Sequence, residues 1–98
     1  MRQDEIIKGV VNILKENLAP AKIIIFGPRA KGNNNRHSDF DFALDCPRPS
    51  ISAERKINEQ VSKIKGLYKI DIVYLDSVDK DFKEIILKTG RPIYERRT

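Results

Sequence analysis

Three segments of the chain carry apolar residues every three to four positions, which is the spacing of an amphipathic helix. The pattern predicts a first helix over residues 5–18, with Asp4 as its N-cap, and a second over residues 53–65. A third helix is predicted over residues 78–88, with Gly90 as its C-terminal stop. The positions predicted to face a core are Ile7, Val10, Val11, Leu14 and Leu18 in the first helix, Ile57, Val61 and Ile64 in the second, and Phe82, Ile85, Ile86 and Leu87 in the third.

Four shorter segments follow the pattern of β-strands. Lys22–Phe26 is almost entirely apolar, as in a buried strand, whereas Phe40–Leu44 and residues 69–75 alternate between two faces. Arg91–Glu95 is predicted as a short edge strand, because Pro92 has no N–H to donate to a neighbour. In the alternating strands one face holds Phe40, Phe42, Leu44, Ile70, Ile72 and Tyr74, and the other holds Asp39, Asp41, Ala43, Asp71 and Val73. The predicted fold class is α+β, a small mixed sheet covered by helices, in a single domain over residues 1–98.

Size and charge restrict the classes of function and partner that fit the sequence. The chain has 98 residues, enough for one core but not for a second catalytic domain, so we expect a partner protein or a second copy to complete any deep pocket. The formal net charge of +5 is scattered through every segment, which fits a nucleotide, a tRNA-like acceptor or an acidic partner but does not favour direct nucleic-acid binding. With no signal-peptide pattern and no apolar run of about 20 residues, the sequence predicts a cytoplasmic protein without membrane contact.

Three aspartates are candidates for a metal site. Asp39 and Asp41 are separated by one strand residue, so both project from the same face with their α-carbons about 6 to 7 Å apart. Asp71 joins them if its strand is a neighbour whose apolar face is also turned inward. Three carboxylates this close repel one another, and a divalent cation relieves that repulsion. Mg²⁺ prefers such hard oxygen ligands, and two ions would also bind the phosphates of a substrate.

The segment of residues 27–39 is rich in glycine, asparagine and charged residues, which is typical of a surface loop. Its glycines let backbone amides approach a triphosphate, and the two cations between them can neutralise phosphate charge. The serine near its end is either a turn residue or a hydrogen-bonding group for phosphate. The residues predicted to bind the nucleotide are Gly27, Arg29, Lys31, Gly32 and Ser38.

These elements combine into one motif. It consists of the run Gly27-Pro28-Arg29-Ala30-Lys31-Gly32, the segment Ser38-Asp39-Phe40-Asp41, and Asp71 on a later strand. The motif resembles the signature of the minimal nucleotidyltransferases, or MNT proteins, of the DNA polymerase β superfamily. The likeness covers nearly the whole chain, including the helix before the first strand and the segment after Gly90.

The resemblance implies a polymerase-β-like nucleotidyltransferase fold in which Asp39 and Asp41 bind Mg²⁺ and Asp71 positions or deprotonates the acceptor hydroxyl. It also implies ATP or another nucleoside triphosphate as substrate. Members of this family are commonly paired with a small helical HEPN protein in toxin–antitoxin modules, where the MNT protein transfers AMP from ATP to a tyrosine of the toxin. The expected function is therefore a protein adenylyltransferase that serves as an antitoxin. The sequence is also compatible with a homo-oligomer.

Pro28 departs from the family pattern, which has a serine after the first glycine. Proline removes a hydroxyl and a backbone N–H that would bind phosphate, at about 1.5 to 3 kcal/mol of transition-state stabilisation per donor. We expect slower transfer as a result. Two other hypotheses stay open: an antitoxin that neutralises its partner by binding alone, and a transferase acting on RNA ends or a small-molecule hydroxyl. The short chain argues against the second of these, because no substrate domain is present.

Overall fold

The computed structural model of the protein describes residues 3–27 and 40–97. Its elements are α1 (Gln3–Leu18), β1 (Lys22–Phe26), β2 (Phe40–Leu44), α2 (Ile51–Ser62), β3 (Ile70–Tyr74), α3 (Lys80–Thr89) and β4 (Arg91–Glu95). The strands form one sheet in the order β3-β2-β1-β4. β1 runs antiparallel to β2 and β4, while β2 and β3 are parallel and are joined by the crossover helix α2. The predicted α+β class and mixed sheet are confirmed.

One face of the sheet is covered by α1 and α2. The side chains that meet there are buried, with Phe40 and Phe42 stacked at a ring-centroid distance of 6.4 Å. This main core contains Ile6, Val10 and Leu14 from α1, Ile57 and Val61 from α2, and Ile23, Ile25, Phe40, Phe42, Leu44 and Tyr74 from the sheet. The period of two along β2 and β3 explains the set, because alternate residues of a strand point to the same face.

Among residues 3–27 and 40–97, the opposite face is covered only in part. Helix α3 packs against β1 there, and the buried residues are Ile24, Ala43, Leu75 and Ile86. Because one ten-residue helix cannot span four strands, the β2 and β3 side of this face is left less covered than the β1 side. Asp41 and Asp71 lie on this less covered part, in positions that alternate with the core residues of their strands.

The ends of the helices differ from the prediction for identifiable reasons. Helix α1 begins at Gln3, so Asp4 is not its N-cap but lies in its first turn, where a carboxylate still interacts favourably with the helix dipole. Helix α2 begins at Ile51 because Ser50 is its N-cap and accepts a hydrogen bond from the Ala53 N–H at 3.2 Å. It ends at Ser62, three residues earlier than predicted.

Helix α3 also departs from the expected pattern. Asp79 caps its N-terminus and accepts a hydrogen bond from the Phe82 N–H at 2.9 Å, and Gly90 is its C-cap, as predicted. Of the four residues predicted to pack inward, only Ile86 is buried. Phe82, Ile85 and Leu87 are 37%, 57% and 50% exposed, so that part of the core prediction was wrong. The narrow stripe of this helix that meets β1 has room for one fully buried side chain.

Within the described chain, β4 and β3 form the two edges of the sheet. The edge prediction for β4 is confirmed: Pro92 pairs with Ile24, and the β1–β4 register shifts between Ile23 and Ile24. None of the helices in residues 3–27 and 40–97 is long and apolar enough to span a bilayer.

Candidate active site

Three chain segments meet at one end of the sheet. Because β1 is antiparallel to β2 and β3 is parallel to β2, the end of β1 and the beginnings of β2 and β3 lie side by side. Asp41 is paired with Phe26 of β1 on one side and with Asp71 of β3 on the other. The strand topology thus brings together residues that are 30 positions apart in the sequence, as the difference between 71 and 41 gives.

Asp41 and Asp71 project from the same face. Paired residues of neighbouring strands lie about 5 Å apart, so the two carboxylates share one patch of surface beside α3. Asp41 is half-buried, and the side chain of Asp71 is 44% exposed. The condition set by the sequence, that Asp71 joins the site if its strand neighbours that of Asp41, is met.

Gly27 is fitted to the Asp41 carboxylate. A Cβ placed on Gly27 would lie 2.5 Å from Asp41 Oδ2, closer than Cβ atoms approach other atoms in proteins. Gly27 also has φ of +74°, in the left-handed region that favours glycine. The backbone therefore turns away from β1 directly against the carboxylate, and a glycine is required at this position for two independent reasons.

A lysine lies beside the second carboxylate. Lys69 Nζ is 4.0 Å from Asp71 Oδ2, and the lysine side chain is 68% exposed. A pair this open to solvent contributes at most about 1 kcal/mol to stability, so it does not lock Asp71 in place. The Asp71 carboxylate remains accessible to a substrate.

The other predicted site residues fall outside the described chain: Arg29, Lys31, Gly32, Ser38 and Asp39, together with Pro28. Their predicted roles stay predictions. Among residues 3–27 and 40–97 no group of three His, Cys, Asp or Glu side chains is arranged to hold a metal. The two carboxylates that are described supply hard oxygen donors of the kind Mg²⁺ prefers, and Asp39 would be the third.

Two aromatic residues near the site, Phe26 and Phe82, were not predicted to be site residues. Phe26, the β1 partner of Asp41, contacts Phe82 of α3 with ring centroids 5.8 Å apart and planes at 80°. This pair closes the α3 side of the patch. The signal available in the sequence was the position of Phe26 at the end of an apolar strand, directly before the glycine of the motif.

A groove of about 540 Å³ runs along β3 and reaches Asp71. We call it the β3-edge groove; its polar lining is Arg48, Glu54, Asn58, Lys65, Asp71 and Ser77, with Val61, Val78 and residues 70, 72, 73 and 74 of β3 between them. The sequence does not reveal it. The positions 54, 58, 61 and 65 have helical spacing, but only Val61 among them is apolar and was predicted to face the core.

The end of the groove away from Asp71 contains an ion pair and a buried phenol. Arg48 Nε donates to Glu54 Oε1 at 2.7 Å. Tyr74 is 7% exposed, and its burial, with the nearby Glu54, raises the pKa of its hydroxyl to about 12. Burial also raises the pKa of the Cys46 thiol, as do Asp45 and Asp76, so Cys46 is held as a neutral thiol.

Comparison with known proteins identifies the family of the chain. The family model described as polymerase beta nucleotidyltransferase matches residues 8–98. The chain belongs to this nucleotidyltransferase family. The matched range extends over all of the described strands.

Two other proteins are similar in sequence over most of their length. The chain is 28% identical over 90 residues to the probable protein adenylyltransferase MntA of Haemophilus influenzae, which covers 90% of this chain and 79% of that protein. It is 30% identical over 81 residues to a protein of Methanocaldococcus jannaschii whose name also describes a protein adenylyltransferase, with 80% of each chain covered.

Solved structures share the fold. A chain of a toxin–antitoxin complex crystallised with AMP-PNP superimposes with a TM-score of 0.76 at 18% identity, over 92% of this chain and 73% of the other. A chain from the complex of tri-AMPylated Shewanella oneidensis HEPN toxin with MNT antitoxin gives a TM-score of 0.72 at 15% identity, over 97% and 74%. At these identities the likeness establishes the fold, and the polymerase-β-like architecture is confirmed.

Proposed function

We propose that this protein is a Mg²⁺-dependent protein adenylyltransferase, which transfers AMP from ATP to a hydroxyl group of a HEPN-type helical partner and thereby acts as an antitoxin. The observation that carries the proposal is the pairing of Asp41 with Asp71 on parallel strands, directly beside the turn at Gly27. Because the chain belongs to a nucleotidyltransferase family, we take this end of the sheet as the place where a triphosphate and an acceptor would meet.

Asp39 and Asp41 would hold the metal, since the two-residue spacing predicts that both carboxylates project from one side of an extended segment and carboxylate oxygens suit Mg²⁺. When bound, Mg²⁺ supplies positive charge that offsets the charge of the triphosphate. The missing Cβ of Gly27 leaves the space that the Asp41 carboxylate occupies, since a Cβ there would lie 2.5 Å from Asp41 Oδ2. Gly27, Arg29, Lys31, Gly32 and Ser38 would contact the phosphates; all but Gly27 lie in the segment between β1 and β2.

Asp71 would act on the acceptor. In the transfer, the acceptor oxygen bonds to the α-phosphorus, the bond from that phosphorus to the bridging oxygen breaks, and pyrophosphate leaves. The hydroxyl proton passes to the Asp71 carboxylate, whose 44% exposed side chain is open to an incoming group.

The nature of the acceptor is supported by the relatives. Both sequence relatives carry protein adenylyltransferase in their names, and the structural neighbours include an antitoxin in complex with an AMPylated HEPN toxin. Since ATP and the toxin would be met inside the cell, we place the reaction in the cytoplasm. The alternative of an antitoxin that works by binding alone is favoured by Pro28, which removes phosphate-binding donors.

Intact-mass spectrometry of the chain co-expressed with the protein encoded beside it tests the proposal. The expected result is a partner that gains the mass of one or more AMP groups. The double variant Asp39→Ala, Asp41→Ala should remove that gain, because it deletes both proposed metal ligands.

Asp45→Asn is the matched control, since Asp45 is an exposed aspartate directly after β2 and outside the site. It should leave the added mass unchanged. A stable complex without added mass, with Mg²⁺ and each nucleoside triphosphate supplied, would reject transfer to this partner and leave neutralisation by binding as the function.

A further inference from the structure

The outer edge of β3 offers backbone groups to a partner strand. Phe40 donates its N–H to the Lys69 carbonyl at 2.9 Å, and Leu75 donates its N–H to the Leu44 carbonyl at 3.0 Å. In a parallel pair, every second residue of a strand directs its N–H and C=O groups at the neighbouring strand. Because Lys69 and Leu75 bond to β2, the N–H and C=O groups of Ile70, Ile72 and Tyr74 point away from β2. The Tyr74 carbonyl accepts a bond from Ser77 N–H at 2.8 Å, which ends the open stretch.

The β3-edge groove lies along these groups. One wall is the flank of α2 that carries Glu54 and Asn58, continued by Lys65 after the helix, and the far end is the turn at Ser77. The volume of about 540 Å³ suits a few residues of extended chain, for which main-chain hydrogen bonds to an edge strand supply affinity. The lining holds acids and bases in mixture, so recognition through the backbone explains the site better than selection of one charge.

The groove is continuous with the proposed catalytic carboxylate. Asp71 belongs both to its lining and to the pair with Asp41. A residue of an added strand directly opposite Asp71 would have its Cβ about 5 Å from that of Asp71 and would project from the same face. A hydroxyl on that residue would be within reach of the Asp71 carboxylate.

We infer that the acceptor protein docks as an extended segment that adds a strand to the open edge of β3, with its hydroxyl-bearing residue opposite Asp71. The inference rests on the proposed transferase function and specifies how that site receives its protein substrate. A second copy of the chain, or cover by another segment of the same chain, is the competing occupant.

Amide hydrogen exchange measured by NMR on the full chain, alone and with the partner that gains mass, tests the docking. Binding of the unmodified partner should slow exchange at the outward amides of Ile70 and Ile72 at least tenfold. The amides of Asp71 and Val73, already directed at β2, should change little. This period of two along one strand is expected when a partner pairs with the outer edge of β3.

Asn58→Trp gives a second readout, because a bulky side chain there would fill the groove. The KM for the acceptor protein should rise at least tenfold, while the KM for ATP and kcat stay unchanged. Asn12→Trp is the control, since Asn12 is an exposed asparagine of α1 and lines no described groove. It should alter none of these constants.

The outcomes separate the two proposals. Transfer to the partner without protection at Ile70 and Ile72, or with a KM unaffected by Asn58→Trp, would overturn the docking mode and leave the transferase intact. Protection of these amides in the free chain would also overturn it: dependence on concentration would assign the edge to a second copy, and independence would assign it to the chain itself. Failure of transfer with every partner would reject the proposed function, and the acceptor segment with it.

Discussion

One face of the sheet provides most of the buried apolar core, and the other carries the carboxylates of the proposed active site. On the face under α1 and α2, every inward residue of β2 has 0% exposure, and these side chains join one large apolar core. On the other face of the same strand, Asp41 lies half-buried beside Asp71, next to a core of only four buried residues. Because successive strand residues point in opposite directions, the protein can place a carboxylate one position away from its best-packed phenylalanine.

Neighbouring substitutions on β2 should separate the two faces most strongly. Phe42→Ala removes a fully buried ring and is expected to lower the free energy of unfolding by about 3 to 5 kcal/mol, a large part of the stability of a domain this small. Asp41→Asn should change that free energy by less than about 1 kcal/mol but reduce AMP transfer by about 10³-fold or more. Urea unfolding and initial transfer rates measure the two effects.

The separation of the two faces would be contradicted if Asp41→Asn unfolded the protein or left the transfer rate within tenfold of the wild type. In the first case the carboxylate would be a structural group. In the second the metal-binding role proposed for Asp41 would be wrong, although the fold would be unaffected.

Two glycines with the same backbone conformation sharpen the comparison. Gly27 and Gly66 have φ of +74° and +58°, but a Cβ would meet Asp41 Oδ2 only at Gly27 and nothing within 4 Å at Gly66. Each change to alanine should therefore cost about 1 to 2 kcal/mol of backbone strain. Only Gly27→Ala should also displace the carboxylate and lower the transfer rate, by about 10- to 100-fold.

Thermal unfolding and transfer rates of the two variants, measured side by side, give the result. Equal losses of stability with unequal losses of activity would support the role of Gly27 in orienting Asp41. Equal activities would mean that the carboxylate can move without consequence.

The smallest expected effect concerns Tyr74, which is a polar group within the apolar face. Its hydroxyl has a pKa of about 12, above the ordinary value of 10, so the folded state holds the proton more tightly than the unfolded state does. The corresponding stability is fully present below pH 10 and is lost as pH rises from 10 to 12. Tyr74→Phe should reduce this fall in the free energy of unfolding at alkaline pH, by up to about 2 kcal/mol.

Urea unfolding of both proteins at pH 8, 10 and 11 measures this difference. At pH 8 the two should differ only by a constant offset that reflects the missing hydroxyl. If their free energies of unfolding fell in parallel above pH 10, ionisation of Tyr74 would play no part in alkaline unfolding.

The sequence predicted the strands and their faces well, because a period of two is a strong local signal. β1, β2 and β4 have the predicted bounds, and Asp71 shares a face with Asp41 as required. Both aspartates lie within short strands whose alternate residues are apolar, which left one orientation for each. Such residues are predictable because burial of the opposite face determines where they point.

The part that failed depends on long-range packing. The apolar positions of α3 predicted four inward residues, but the helix packs mainly against β1, and Phe82, Ile85 and Leu87 stay exposed. Periodicity gives the direction of an apolar stripe and not the width of the surface it meets. The β3-edge groove was missed for a similar reason, since its walls come from α2 and β3 and exist only once the strand order is known.

The central position of β1 has a consequence for the newborn chain. Lys22–Phe26 is made before β4 and is almost wholly apolar, yet one of its edges is satisfied only when residues 91–95 have been added. Until those residues have been translated, an apolar strand is exposed with backbone hydrogen-bonding groups that any other chain could bind. β1 therefore needs shielding for as long as synthesis takes to advance from residue 26 to residue 95.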